Sequence, residues 1–132
     1  MPSSLSNMNS ECLFCSITQE RIVLENDLAY AVRDGFPVTE MHSIIIPKRH
    51  IPDYFDLTTD ELLACDQLIH SLKEEINNLD SSVNGFNIGM NAGESAGQTI
   101  FHCHIHLIPR RTGDVDNPRG GVRHTIPGKG DY

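Results

Sequence analysis

The sequence predicts an α+β domain, an antiparallel sheet of about five strands with one long helix packed on it, in the order β-β-β-α-β-β. Three observations predict it. His102, His104 and His106 alternate with Cys103, Ile105 and Leu107, the period of a strand whose successive side chains turn to opposite faces. Thr58-Thr59-Asp60-Glu61 forms a capping box ahead of Leu62, Cys65, Ile69, Leu72, Ile76 and Leu79, spaced by threes and fours as on one face of a helix. Short β-rich runs separated by turn residues flank that helix on both sides.

The chain has 132 residues, enough for one domain with a core that needs no disulfide staples. Hydrophobic residues make up 39% and charged residues 21%, so it reads as an ordinary globular protein. No apolar run suits a bilayer, and Met1 to Ser10, read as a flexible N-terminus, lacks a signal-peptide core. A cytoplasmic location without a membrane partner is the expectation. The net charge of -8 argues against nucleic-acid polymers, which are bound by neutralising many phosphates. A local positive pocket built from Lys48, Arg49, Arg110 and Arg111 is compatible with that charge.

Ile22-Val23-Leu24 and Leu28 to Arg33 read as two strands joined by a turn at Glu25-Asn26-Asp27. Asp34-Gly35-Phe36-Pro37 breaks the pattern, and an Asp before Gly is a common turn residue. His42 to Pro47 is a β-branched run typical of a central strand. The helix follows between Asp53 and Asp80, with Asp66, Lys73, Glu74 and Asn77 on its outer face and His70 beside its apolar seam, exposed or structural. Asn84-Gly85 turns the chain into the alternating strand Phe86 to Asn91. Ala92 to Gly97 is a small-residue loop leading into the histidine strand; it lacks the Gly-Lys-Ser/Thr of a Walker loop. Cys65 and Cys103 read as buried small hydrophobes. The tail from Thr112 to Tyr132 is rich in Gly, Pro and charge, and packs through Val122, Ile126 and Tyr132 on the domain or a dimer partner, or is partly disordered.

On a strand the three imidazoles share one face, a surface suited to metal ligation by neutral imidazole or to attack on and stabilisation of an anion near neutral pH. Cys12-Leu13-Phe14-Cys15 reads as half a zinc site, a redox pair or a coincidence. The redox option wants a thioredoxin-like βαβ context that the following residues do not supply.

Gln98-Thr99-Ile100-Phe101-His102-Cys103-His104-Ile105-His106-Leu107-Ile108-Pro109-Arg110 resembles the signature of the histidine triad (HIT) superfamily of nucleotide hydrolases and transferases, and the resemblance covers roughly residues 11 to 130. It implies a HIT-like fold spanning residues 11–111 as a HIT domain, with 112–132 as the tail, and a homodimer. It implies a bacterial-type hydrolase acting at the α-phosphate of a purine nucleotide conjugate, either a nucleoside phosphoramidate or a dinucleoside polyphosphate. His104 then matches the nucleophile that forms a covalent nucleotidyl intermediate. His106, Gln98 and Thr99 match phosphate-contacting positions, with Asn91 as a further contact. His42 matches a supporting histidine, preceded by Met41 where many members carry Gly. Asp34, eight residues before His42, matches the ribose acceptor, and Phe14, Ile17 and Val32 the apolar base cleft. In zinc-containing members the paired cysteines are completed by two histidines, which here match His50 and His102; the alternative for His102 is support of the strand among the catalytic histidines. A closed Cys2His2 set is structural, and the chemistry needs no cofactor because imidazolium and backbone donors can carry the charge.

The competing reading is a non-catalytic nucleotide- or metal-binding module in which His102, His104 and His106 hold an ion. Geometry weighs against a single ion for all three, since positions i and i+4 of a strand stand roughly 13 Å apart.

Overall fold

The computed structural model describes residues 11–130. Five strands, β1 (Ile22–Glu25), β2 (Ala29–Arg33), β3 (Ser43–Pro47), β4 (Val83–Gly89) and β5 (Ile105–Arg111), form one sheet of order β1-β2-β3-β5-β4. Every pairing is antiparallel. Helix α1 (Thr59–Leu79) covers one face. This is the predicted architecture. Among the described residues no helix is long and apolar enough to cross a membrane.

The tight β1–β2 turn follows from Asn26, whose Oδ1 accepts from the backbone of Leu28 and Ala29 while its Nδ2 donates to Ala64 O of α1. The capping box forms as the sequence predicts: Thr58 Oγ1 accepts from Glu61 N, and Glu61 Oε1 accepts from Thr58 N. Glu61 is nevertheless buried, because Arg49 closes on it bidentately at 2.9 and 2.7 Å. That pair ties the start of α1 to the segment carrying His50.

Both sheet faces are covered. Ala29, Ala31, Ile45, Ile105 and Leu107 pack against Cys65, Leu68, Leu72 and Ile76 of α1. On the other face Tyr30, Val32, Ile44 and Ile46 meet Phe14, Ile17 and Ile22. This two-sided burial explains why β3 is apolar along its length. The helix seam is rotated from the predicted one: Glu61, Cys65, Leu68, Leu72 and Ile76 are its buried residues, whereas Leu62 and Leu79 are 37% and 66% exposed. Leu72 has no exposed surface, so Leu72→Ala is expected to cost about 3 kcal/mol, measured by denaturant unfolding.

Two local expectations need correction. Asn84-Gly85 is an irregularity inside β4, and the turn precedes it, where Ser82 N and Oγ bond Asp80 Oδ1. The histidine strand begins only at Ile105. Cys103 N bonds Ile51 O and His102 Nε2 donates to Pro47 O, so residues 102–104 lean on the loop after β3, and His102 is turned into the interior. The tail makes a short 3-10 turn at Gly121–Thr125 near β4. Val122 and Ile126 are largely exposed, because the segment closes on itself through Arg123 Nε donating to Lys129 O. Met1 to Ser10 and Tyr132 lie outside the described residues.

Candidate active site

A cavity of about 450 Å³ opens on the sheet face away from α1, between β5, the loop before it and the N-terminal segment. His104, His106, Asn91, Gln98, Thr99, Asp34, Phe14 and Ile17 all line it, and all were expected there from the sequence. Val32 does not. It is fully buried beside Ile44, its β3 neighbour, which does line the cavity. His42 and His102 are also buried and stand directly behind the cavity histidines.

Hydrogen-bond partners, backbone groups for His42 and His104 and the His42 ring for His106, determine which nitrogen carries the proton. Val38 N, which can only donate, points at His42 Nδ1 at 3.1 Å; in a neutral ring the proton is then on Nε2. His42 Nε2 lies 2.9 Å from His106 Nδ1, so His106 accepts there and presents Nε2–H to the cavity. His104 Nδ1 lies 2.8 Å from His102 O, an acceptor only. Its proton is therefore on Nδ1, and Nε2 carries a lone pair. The geometry leaves two adjacent rings, 5.2 Å apart, one nucleophilic and one donating.

Asp34, His42 and His106 form a three-ligand cluster, yet it is poorly suited to a metal. His42 already accepts a hydrogen bond at Nδ1, so ligation at Nε2 would require an imidazolate. Asp34 instead accepts from Phe36 N through Oδ1 and stands 3.5 Å from His42 Nε2 through Oδ2.

Burial lowers the pKa of His42, with Asp34 opposing, and lowers that of His106, helped by the neighbouring His104 and His42. Both rings stay neutral below the usual 6.5. A lowered folded pKa contributes stability that is complete above the unfolded value and lost as pH falls through the folded one. Unfolding free energy is thus expected to decline below about pH 6.5, by at most about 1.4 kcal/mol per pH unit for each histidine, and denaturant titrations across that range measure it.

A second cluster lies behind His104. Cys15 Sγ is 3.2 Å from His50 Nδ1 and 3.4 Å from His102 Nδ1; Cys12 Sγ is 3.5 Å from His102 Nδ1; the two Nδ1 atoms are 3.2 Å apart. A tetrahedral zinc with usual bond lengths places its ligand atoms roughly 3.3–3.8 Å apart, so this donor set fits the ion. His102 Nε2–H donates to Pro47 O at 2.7 Å, directing the Nδ1 lone pair at the thiols as an outer-shell partner should. Burial lowers the His102 pKa to about 4, which keeps that lone pair free.

Two expected residues behave differently in detail. Gln98 is buried, and its amide donates to Pro52 O and Ile100 O while accepting from Gly93 N. Its side chain braces the loop and has no hydrogen left for a phosphate. Met41 has a φ of 68°, a left-handed conformation that Gly adopts without cost and other residues at about 1–2 kcal/mol. The basic residues expected to form a positive pocket are each held by a carboxylate: Lys48 by Glu25, Arg49 by Glu61, Arg110 by Asp114 and Arg111 by Asp80. Sequence reasoning missed Arg21 and Phe36, which line the cavity; neither belongs to a motif.

The HIT domain family matches residues 17–113. The chain belongs to the HIT family. An uncharacterized HIT-like protein of Mycoplasma genitalium is 35% identical over 79% of this chain and 76% of its own. The bis(5'-adenosyl)-triphosphatase of Dictyostelium discoideum is 38% identical over 76% of this chain and 67% of its own. The crystal structure of a zinc-bound histidine triad family protein from Mycobacterium smegmatis is 30% identical, covers 79% of this chain and 78% of its own, and superposes with a TM-score of 0.72. Membership of the HIT family makes hydrolysis of small nucleotides the class of activity to consider.

Proposed function

We propose that this HIT protein is a hydrolase acting at the α-phosphate of a purine nucleotide conjugate through a covalent nucleotidyl-His104 intermediate. The observation that carries this reading is the His104 tautomer, pinned by His102 O, which leaves a nucleophilic Nε2 in a cavity large enough for a nucleotide. The Nε2 lone pair attacks phosphorus, and the bond to the leaving group breaks with its electron pair, which takes up a proton from solvent. Water then attacks the phosphorus and gives up a proton to solvent, the P–N bond returns its pair to His104, and the nucleoside monophosphate departs. His106 Nε2–H, Thr99 and Asn91 donate to the oxygens on which charge gathers. Gln98 holds the loop that carries Thr99, Asp34 accepts from the ribose, and Phe14 and Ile17 enclose the base above Val32.

Cys12, Cys15, His50 and His102 would hold a zinc ion, which when bound supplies structural cross-linking and no step of the reaction. Its thiolates suit the reducing cytoplasm. Edge strand β4, with Ile88 51% exposed, suits a homodimer; no membrane or nucleic-acid polymer is a partner in this reading.

Among the described residues no lysine or arginine lines the cavity beside His104, His106 and Thr99 other than Arg21 at its far end, which favours a leaving group without phosphates, hence a nucleoside phosphoramidate. The Dictyostelium relative favours the second reading, a dinucleoside polyphosphate. Nucleotide release from adenosine phosphoramidate and diadenosine tetraphosphate, assayed in parallel with a chelator, decides between them. Faster turnover of the first is expected. Nucleotide binding without release from either would establish the non-catalytic module instead.

A further inference from the structure

Arg21 is the one cation among the described residues that lines the cavity, and no step above uses it. Its guanidinium Nη2 donates to Arg33 O at 3.3 Å, and no carboxylate of the described residues pairs with it. Every other arginine or lysine near the site is neutralised by a carboxylate. Arg33 is on β2, two strands from β5, which places the Arg21 anchor roughly 10 Å from His106. That is the order of the distance from the α-phosphorus of a nucleotide to the far edge of its base. Around this end the cavity wall is Leu13, Phe14, Ile17 and Phe36, apolar surface that holds either purine equally.

The polar groups there differ in what they discriminate. Ser16 and Thr18 carry hydroxyls that donate or accept, whereas a guanidinium only donates. Guanine and hypoxanthine present two acceptors, O6 and N7, on one edge; adenine presents N7 beside the N6 amino donor. Resting on the nucleotide-binding reading above, we infer that Arg21 is a specificity-determining residue that reads the O6/N7 edge and makes 6-oxopurine nucleotides the preferred substrates.

Calorimetric titration of the full-length protein with GMP, IMP and AMP tests this without depending on turnover. Wild type is expected to bind GMP and IMP about tenfold more tightly than AMP. Arg21→Met, which keeps the aliphatic stem, should bind all three alike, and Arg21→Gln, whose amide both donates and accepts, should favour AMP. Equal wild-type affinities for GMP and AMP, or a preference that survives in Arg21→Met, would overturn the inference while leaving nucleotide binding intact. So would preference for GMP but not IMP, which would point to the 2-amino group. Binding of none of the three would remove the nucleotide reading itself, and this inference with it.

Discussion

Turnover in His104→Ala is expected to fall by at least about 10⁴-fold, to the limit of detection, because loss of a covalent nucleophile removes the reaction path and not one stabilising contact. Thr99→Ala supplies the contrast. It removes one donor to the developing charge, so a loss of about 10²–10³ in kcat is expected. Single-turnover assays with both variants, together with trapping of radiolabelled nucleotide on the wild-type protein as an alkali-stable, acid-labile adduct, measure the difference. Similar losses in the two variants would mean that His104 is one donor among several. His104→Ala should still bind nucleoside monophosphate, since Asp34, Phe14 and Ile17 are untouched.

The second large effect concerns the sulfur–nitrogen cluster. Wild-type protein is expected to carry about one zinc per chain, and the double substitution Cys12→Ser with Cys15→Ser none. Phe14 lies between those cysteines and packs edge-on against His104, with ring centroids 4.8 Å apart. Loss of the ion therefore releases one wall of the base cleft as well as the N-terminal segment. Structural zinc contributes strongly to folding free energy where it is bound, so the melting temperature should drop by roughly 10 °C or more. Metal analysis and calorimetry on both proteins check this. His104→Ala should retain its zinc; its loss there would shift belief to a metal-binding module built on the triad.

The sequence by itself determined the elements of this fold. The capping box at Thr58, the β-branched run Ile44 to Ile46 and the turn at Asn26 are local signals, complete within a few residues, and each forms as read. The alternating histidines also marked the site, because spacing two is itself a structural statement. What alternation could not convey is where β5 starts. His102 leaves the strand pattern because Pro47 O and Ile51 O, about 50 residues away in sequence, hold the backbone on a different path. The same reason limits every role that depends on a distant partner. Cys12 and Cys15 are half a site until His50 and His102 arrive at 3.2–3.5 Å. The tautomers of His42 and His104 exist only because Val38 N and His102 O face those particular nitrogens. Gln98 changed from a phosphate donor to a brace, and Lys48, Arg49, Arg110 and Arg111 from a positive pocket to four ion pairs, because hydrogen-bond partners are chosen by packing. Arg21 became visible only as a cavity wall, since a lone arginine before a strand carries no periodicity and no motif. Local chain chemistry decides which elements form; burial and the assignment of each donor to an acceptor, which only the tertiary structure supplies, decide what those elements can do.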